Sequence, residues 1–212
     1  MVIGSGPSLQ GFRFSELNDS RFCTFAINEE GWKHEDEYQP DFWIFHDDAP
    51  GMGKIRNSFK SPKTKVILRR EVFLQISVKN PTWADGAYGF TPRRNARWEF
   101  TDSWLPMGMT TAVPAVAAAA KMGFKKIILL GVDCYGSSER YYYDNHPKLA
   151  SPVVREFEHG YITKQHEGML ESFNVLSDGL VRFGWDGEII QTSLKSPLDR
   201  FRKARWQDAV NG

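Results

Sequence analysis

An open α/β sheet, mostly parallel and flanked by helices, is the fold class this sequence predicts, and three observations predict it. Short apolar runs without clean polar alternation recur along the chain, as strands covered on both faces require. An alanine-rich segment leads through a short turn into one of those runs, which is half of a doubly wound unit. Several runs end on Gly, Asn, Asp or His, where parallel strands line a ligand crevice with their carboxyl ends.

The elements follow in order. Met1-Val2-Ile3 is a short apolar run that meets glycine at once, the end of a strand followed by a tight turn. Ser8-Leu9 starts a short helix, curtailed by Gly11 and the polar stretch to Asp19. Phe22 to Ile27 is a β-rich run that ends at Asn28, and Phe42 to Phe45 is a third strand that ends at His46-Asp47-Asp48. Lys65 to Leu68 is a fourth. From Glu71 to Ser103 periodic apolar positions are few and Gly, Pro, Trp and Arg are many, so a partly irregular substrate lid is expected around 71–108. Thr110 to Met122 is the clearest helix, with Gly123 as its natural stop, and Lys126 to Leu130 is the clearest strand. His166 to about Phe183 has a helical apolar period, Glu188 to Gln191 is a last strand, and Pro197 to about Ala209 reads as a terminal helix. With no linker, repeat or low-complexity tract, one domain over 1–212 is expected.

Composition narrows the function classes. A net charge of +1 gives no global pull toward nucleic acid or an anionic membrane, although local patches could still provide one. Two cysteines, Cys23 and Cys134, are too few for a disulfide framework and lack metal-ligand spacing; they read as buried free thiols in a reducing compartment. With no signal-peptide pattern and no membrane-length apolar run, the expectation is a cytoplasmic protein without integral membrane contact. Seven Trp, seven Tyr and fifteen Phe are many, and several, such as Trp83, Tyr88, Trp98 and Trp104, lie in polar segments where aromatics often line substrate clefts.

Three constellations could carry chemistry. In the turn Gly4-Ser5-Gly6-Pro7-Ser8-Leu9, glycines would let the backbone approach phosphate oxygens, and the hydroxyls of Ser5 and Ser8 add donors. A tight turn with no ligand would need the same glycines, and neither a Walker A loop nor a full G-x-G-x-x-G fingerprint is present. Asn28, His46, Asp47, Asp48 and Asp133 each follow an apolar strand and would converge with that turn on one cleft, although Asn and Asp also serve as turn formers. Asp47 and Asp48 are the carboxylates a divalent cation would use, but two adjacent acids point different ways and fall short of a metal site. Thr110 and Thr111 open the alanine-rich helix, where they could cap it or meet a phosphate at its N-terminus.

The blocks Gly4-Ser5-Gly6-Pro7-Ser8-Leu9, Asn28, Thr110-Thr111-Ala112-Val113, Gly123-Phe124-Lys125-Lys126-Ile127, Gly131-Val132-Asp133-Cys134-Tyr135 and a late His166 stand in an order that resembles the bacterial lipooligosaccharide sialyltransferases. Those enzymes carry G-N-G-P-S-L, a strand-end Asn, T-S-G-V, G-Y-K-E-I, G-I-D-F-Y and a late histidine. The 6-hydroxymethylpterin diphosphokinase-like group is similar in its G-x-G-P-S-L turn and in an aspartate after the third strand. The resemblance covers most of the chain except the middle segment. It implies a Rossmann-like glycosyltransferase that uses a nucleotide sugar as co-substrate, with no firm cofactor and without a metal. Gly6, Ser8 and Asn28 would then contact the nucleotide, and Thr110 and Thr111 the donor. Tyr135, with one of Tyr141 to Tyr143, would steady the departing phosphate, and His166 would be the general base.

Two departures bear on donor and mechanism. His46-Asp47-Asp48 stands where the sialyltransferases have Asn, which leans toward the diphosphokinase-like group or a metal-assisted transferase. Thr110-Thr111-Ala112 replaces T-S-G. Arginine–aromatic runs at Arg93, Arg94, Arg97 and Trp98, and again from Arg200 to Trp206, are either solvated charge or a surface for an anionic acceptor. The acceptor would be a glycan hydroxyl or a hydroxymethylated base in phage-type DNA. A metal-dependent diphosphokinase and a non-catalytic nucleotide or nucleic-acid binding module are the competing readings.

Overall fold

Apolar runs too short to form helices lie side by side in the computed structural model, which describes residues 1–28, 34, 36–45, 64–69, 87–90, 105–106, 108–134 and 159–212, with the backbone path alone at 68–69, 87–90 and 159–166. The strands are β1 (Val2–Ile3), β2 (Phe25–Ile27), β3 (Phe42–Phe45), β4 (Lys65–Arg69), β5 (Ala87–Phe90), β6 (Lys126–Leu130), β7 (Glu188–Gln191) and β8 (Arg202–Lys203). They form one sheet in the order β5-β4-β3-β2-β1-β6-β7-β8, and every pairing is parallel. Successive strands run outward from β1 to β5, and β6 then returns to the other side of β1. That reversal makes β1/β6 the topological switch point of a Rossmann-like sheet, the place where open parallel sheets form a ligand crevice outside their carboxyl ends.

Helices cover both faces, which is why the strands read as unbroken apolar runs. Val2, Ile127, Leu129 and Ile189 face α1 (Ala112–Lys121) and Phe173, Leu176 and Leu180 of α2 (His159–Arg182). The intervening residues Ile3 and Leu130 turn to the opposite face, against Leu9, Phe14, Leu17 and Tyr38. Ile128 and Ile190 meet Ala209 of α3 (Trp206–Asn211) there. From Ala112 to Ala120 every residue of α1 is buried, so its small side chains let it sit between the sheet and α2. Gly123 ends α1 at φ +88°, with Phe124 N–H donating to Ala119 O at 3.2 Å and Gly123 N–H to Ala120 O at 3.0 Å. This is the Schellman arrangement. Gly184, φ +78°, ends α2 in the same way.

The observed bounds of β3, β6 and β7 are those read from sequence. Other elements differ. β2 starts at Phe25, because Thr24 is held by Asp41: its N–H and hydroxyl both donate to Asp41 Oδ2, at 2.8 and 3.0 Å. β5 lies inside the segment read as an irregular lid, most of which falls outside the described residues. α2 begins at His159, so His166 does not open the helix but lies within it; Gly160, Ile162 and Thr163, weak helix formers, hid its first turns.

The expected terminal helix over 197–209 is a turn, strand β8 and the short α3. Leu198 and Phe201 imitate helical spacing, but both are buried in the core, and Ala204 N–H donates to Gln191 O at 3.1 Å alongside the β7–β8 pairing. Three of the four charges of this run are engaged within the protein, and Arg205 is exposed. Arg200 pairs with Asp178, Arg202 with Glu188 at 3.2 Å and Lys203 with Asp199 at 2.5 Å. Trp206 donates to Glu16 Oε2 at 3.0 Å and meets Phe12 and Phe22 edge-on, so its ring belongs to an internal aromatic cluster. Among the described residues no helix is long and apolar enough to cross a membrane.

Candidate functional site

The glycine turn is locked to the end of β6. Gly4 N–H donates to Leu130 O at 2.8 Å and Gly6 N–H to Gly131 O at 2.7 Å, so the parallel ladder continues past both strands. The approach is too close for side chains. A Cβ on Gly4 would lie 2.6 Å from Gly131 O, and one on Gly6 would lie 2.3 Å from Asp133 Oδ2. Gly131 has φ +67°, with the buried Leu9 side chain against it. Pro7 then opens a one-turn 3-10 helix, Pro7–Leu9, in which Leu9 N–H donates to Gly6 O at 3.1 Å.

The turn does not offer a ring of free backbone donors, because β6 and Asp133 have engaged most of them. Gly4, Gly6, Ser8 and Leu9 N–H groups all bond within the protein, and Pro7 has none. What remains for a ligand is the Ser5 N–H together with the hydroxyls of half-buried Ser5 and exposed Ser8.

Asp133 is the other half of the lock. It is 5% exposed, and its Oδ2 accepts the Ser8 N–H at 2.8 Å. Its Oδ1 is buried and has no partner among the described residues. The residue before it is fixed from β7: fully buried Gln191 donates to Val132 O at 2.7 Å and accepts Ser193 N–H at 2.9 Å. Cys134 follows at φ +52°, half-buried and beyond the strand, a free thiol like Cys23. Burial first, and the neighbouring Asp133 charge second, push the Cys134 thiol from the ordinary 9.0 up to about 12.

A second corner forms where β2 ends. Asn28 has φ +50°, its carbonyl accepts Trp43 Nε1–H at 2.6 Å, and its Oδ1 accepts the Thr111 hydroxyl at 3.0 Å. Thr110 Oγ1 accepts Ala112 N–H at 3.3 Å, which makes Thr110 the threonine that tends the start of α1. The same turn leans on α2. Met109 N–H donates to Ser172 Oγ at 2.9 Å, and Ser172 Oγ–H donates to Gly168 O at 2.6 Å. Gly168 allows this contact, since a Cβ there would lie 2.9 Å from Met109 Cγ. His166 is two residues earlier on α2, about 3 Å along the helix axis.

The structure thus brings Gly4, Ser5, Gly6, Pro7 and Ser8 together with Asp133, and joins Asn28 to Thr111 beside Thr110. His46, Asp47, Asp48, Arg93, Arg94, Arg97, Trp98 and Tyr135 lie outside the described residues, as does the side chain of His166. Among the described residues no group of three or more His, Cys, Asp or Glu side chains could hold a metal ion. Sequence reasoning passed over Gln191, Trp43 and Ser172. Gln191 left a signal, as the polar end of an otherwise apolar strand; Trp43 looked like any core aromatic.

No protein-family model matches the sequence, and no curated protein matches it at the sequence level. Among solved structures, a crystal structure of a variant of the sialyltransferase CST-II in complex with CMP matches at 15% identity, with a TM-score of 0.50 over 95% of this chain and 85% of that one. At that identity the likeness establishes architecture alone: the chain has the Rossmann-like fold of a sialyltransferase.

Proposed function

We propose that this protein is a glycosyltransferase that transfers a sugar from a nucleotide-activated donor to a hydroxyl acceptor. The observation that carries the reading is the meeting of the glycine turn with Asp133 at the β1/β6 switch point, where open parallel sheets bind nucleotides. The solved sialyltransferase of like fold, with CMP bound, supports the same assignment. In this reading Ser5, Ser8 and Asn28 contact the nucleotide, and Gly4, Gly6 and Pro7 shape the turn. Thr110, Thr111 and Asp133 border the donor, with His46 and Asp47 at its far edge. Arg93, Arg94, Arg97 and Trp98 form the acceptor side, which suits an anionic glycan or a modified DNA base.

The chemistry needs a base and a stabilised leaving group. His166 accepts the proton of the acceptor hydroxyl as its oxygen bonds to the anomeric carbon, and the bond from that carbon to the phosphate oxygen breaks. Tyr135 and the serine hydroxyls offset the charge that grows on the departing phosphate. The contact of Gly168 with Met109 supports this placement, because it sets the His166 stretch of α2 beside the turn that opens α1.

Thermal-shift screening against CMP-, UDP- and GDP-sugars, with and without a divalent cation, tests the reading, since a donor that binds the folded state raises Tm. One nucleotide-sugar class is expected to raise Tm and to be turned over in the presence of a chelator. His166→Ala is expected to lower transfer about 10²–10⁴-fold while donor binding persists. Unchanged transfer in that variant would remove His166 from the mechanism, and loss of all turnover with a chelator would favour a metal-dependent phosphotransferase.

A further inference from the structure

We propose that Thr111 and Trp43 are positioning residues that hold Asn28 with its side-chain N–H groups presented to the crevice, so that this corner selects a phosphate over a cation. That a nucleotide reaches Asn28 rests on the reading above; the positioning roles, and the charge selection that follows from them, go beyond it. Asn28 is the residue that most needs holding. Its φ of +50° is a left-handed conformation that Asn tolerates better than most residues but still at some cost. Trp43, fully buried in β3, fixes its carbonyl through the 2.6 Å bond from Nε1.

The side chain is fixed from the other direction. A primary amide has one acceptor oxygen and two N–H donors, and its two ends are exchanged by a flip. The Thr111 hydroxyl donates to Oδ1, which engages the acceptor end and leaves the donors facing away from Thr111. Among the described residues no acceptor meets Asn28 Nδ2. An anion can use both of those donors, whereas a cation would have only the second lone pair of Oδ1, beside the Thr111 hydroxyl.

Local sequence explains why Thr111 is free for this role. Thr111 occupies the N-cap position of α1, where a threonine ordinarily accepts the N–H two or three residues on. The third position of this helix is Pro114, which has no N–H, and no side-chain cap bond forms. The hydroxyl, on a residue only 6% exposed, turns to Asn28 instead. Thr111 therefore acts through Asn28, while Thr110 has the more accessible side chain of the pair.

Thr111→Val keeps the shape and removes the donor; Thr111→Ser restores it. The probes are CMP and cytidine, read by calorimetric titration, together with the ¹⁵N relaxation order parameter of Asn28 Nδ2 in the ligand-free protein. Thr111→Val is expected to weaken CMP about tenfold, the worth of one hydrogen bond, and to leave cytidine unchanged. The order parameter should fall below about 0.6, and Thr111→Ser should recover both values. Equal loss of CMP and cytidine would mean that Thr111 touches the nucleoside itself and would overturn the proposal. So would an unchanged order parameter in Thr111→Val. If the unsubstituted protein binds no CMP, the nucleotide reading fails for that base, and the order parameter alone decides the positioning role.

Discussion

Alanine at Gly6 is a sharp probe of the lock between the glycine turn and Asp133. The backbone there has φ −68° and ψ 156°, which alanine adopts without strain, so the backbone alone would favour the variant by about 0.4–1 kcal/mol. The side chain reverses that sign. A Cβ would stand 2.3 Å from Asp133 Oδ2 and 2.8 Å from Gly131 O, well inside van der Waals contact. Asp133 must swing away and release the Ser8 N–H, a bond to a carboxylate worth about 1.5–3 kcal/mol. Local overpacking adds about 1–3 kcal/mol. The net is a destabilisation of about 1.5–5.5 kcal/mol, or a Tm drop on the order of 3–20 °C for a chain of this size. The assay is a double-mutant cycle by urea denaturation. Because Asp133→Ala removes the clashing carboxylate, Gly6→Ala should cost at least about 1 kcal/mol less in that background. Additivity within about 0.5 kcal/mol would refute the lock, and so would a neutral Gly6→Ala.

Two further outcomes follow from buried groups near the site. Gln191→Ala strands Val132 O and Ser193 N–H in the interior and should cost about 2–4 kcal/mol, visible as a lowered urea midpoint; a loss under about 1 kcal/mol would show that those groups find other partners. Cys134, with its thiol pushed up to about 12, stays protonated in the folded chain while the unfolded thiol ionises near 9.0. Its folded pKa is the higher one, so stability must fall as pH rises from about 9 toward 12, with a slope approaching about 1.4 kcal/mol per pH unit. Cys134→Ser lacks that titration, and the stability difference between the two proteins across this window measures it. A parallel pair of curves would contradict the assignment.

Much of the sheet was legible because two-sided burial writes itself plainly. Ile127 to Leu130 serve both faces in alternation, so no polar residue interrupts the run, and the flanking Lys126 and Gly131 mark its ends. The stop of α1 was legible from Gly123 because few other residues accept φ +88°. Tertiary context hid the rest. Leu198 and Phe201 have helical spacing, yet the backbone beyond them pairs with β7, a partner that local pattern does not reveal. β5 alternates the strand formers Tyr88 and Phe90 with Ala87 and Gly89, which strands disfavour, so no continuous apolar run marks it. At the site, Asn28 and Asp133 announced themselves as polar residues closing apolar strands. Which groups they hold did not follow from sequence, because Thr111 reaches Asn28 across 83 positions and Ser8 reaches Asp133 across 125.

Those two separations bear on how the molecule matures. Among the described residues no hairpin or neighbouring helix pair joins the two corners; a large loop must close before they meet, and such closure is entropically slow. The site should therefore form late in folding, with the same cooperativity as the sheet. Amide protons of Gly4, Gly6 and Ser8 would then exchange only through openings close to global unfolding. A bound ligand would slow that exchange across strands it never touches.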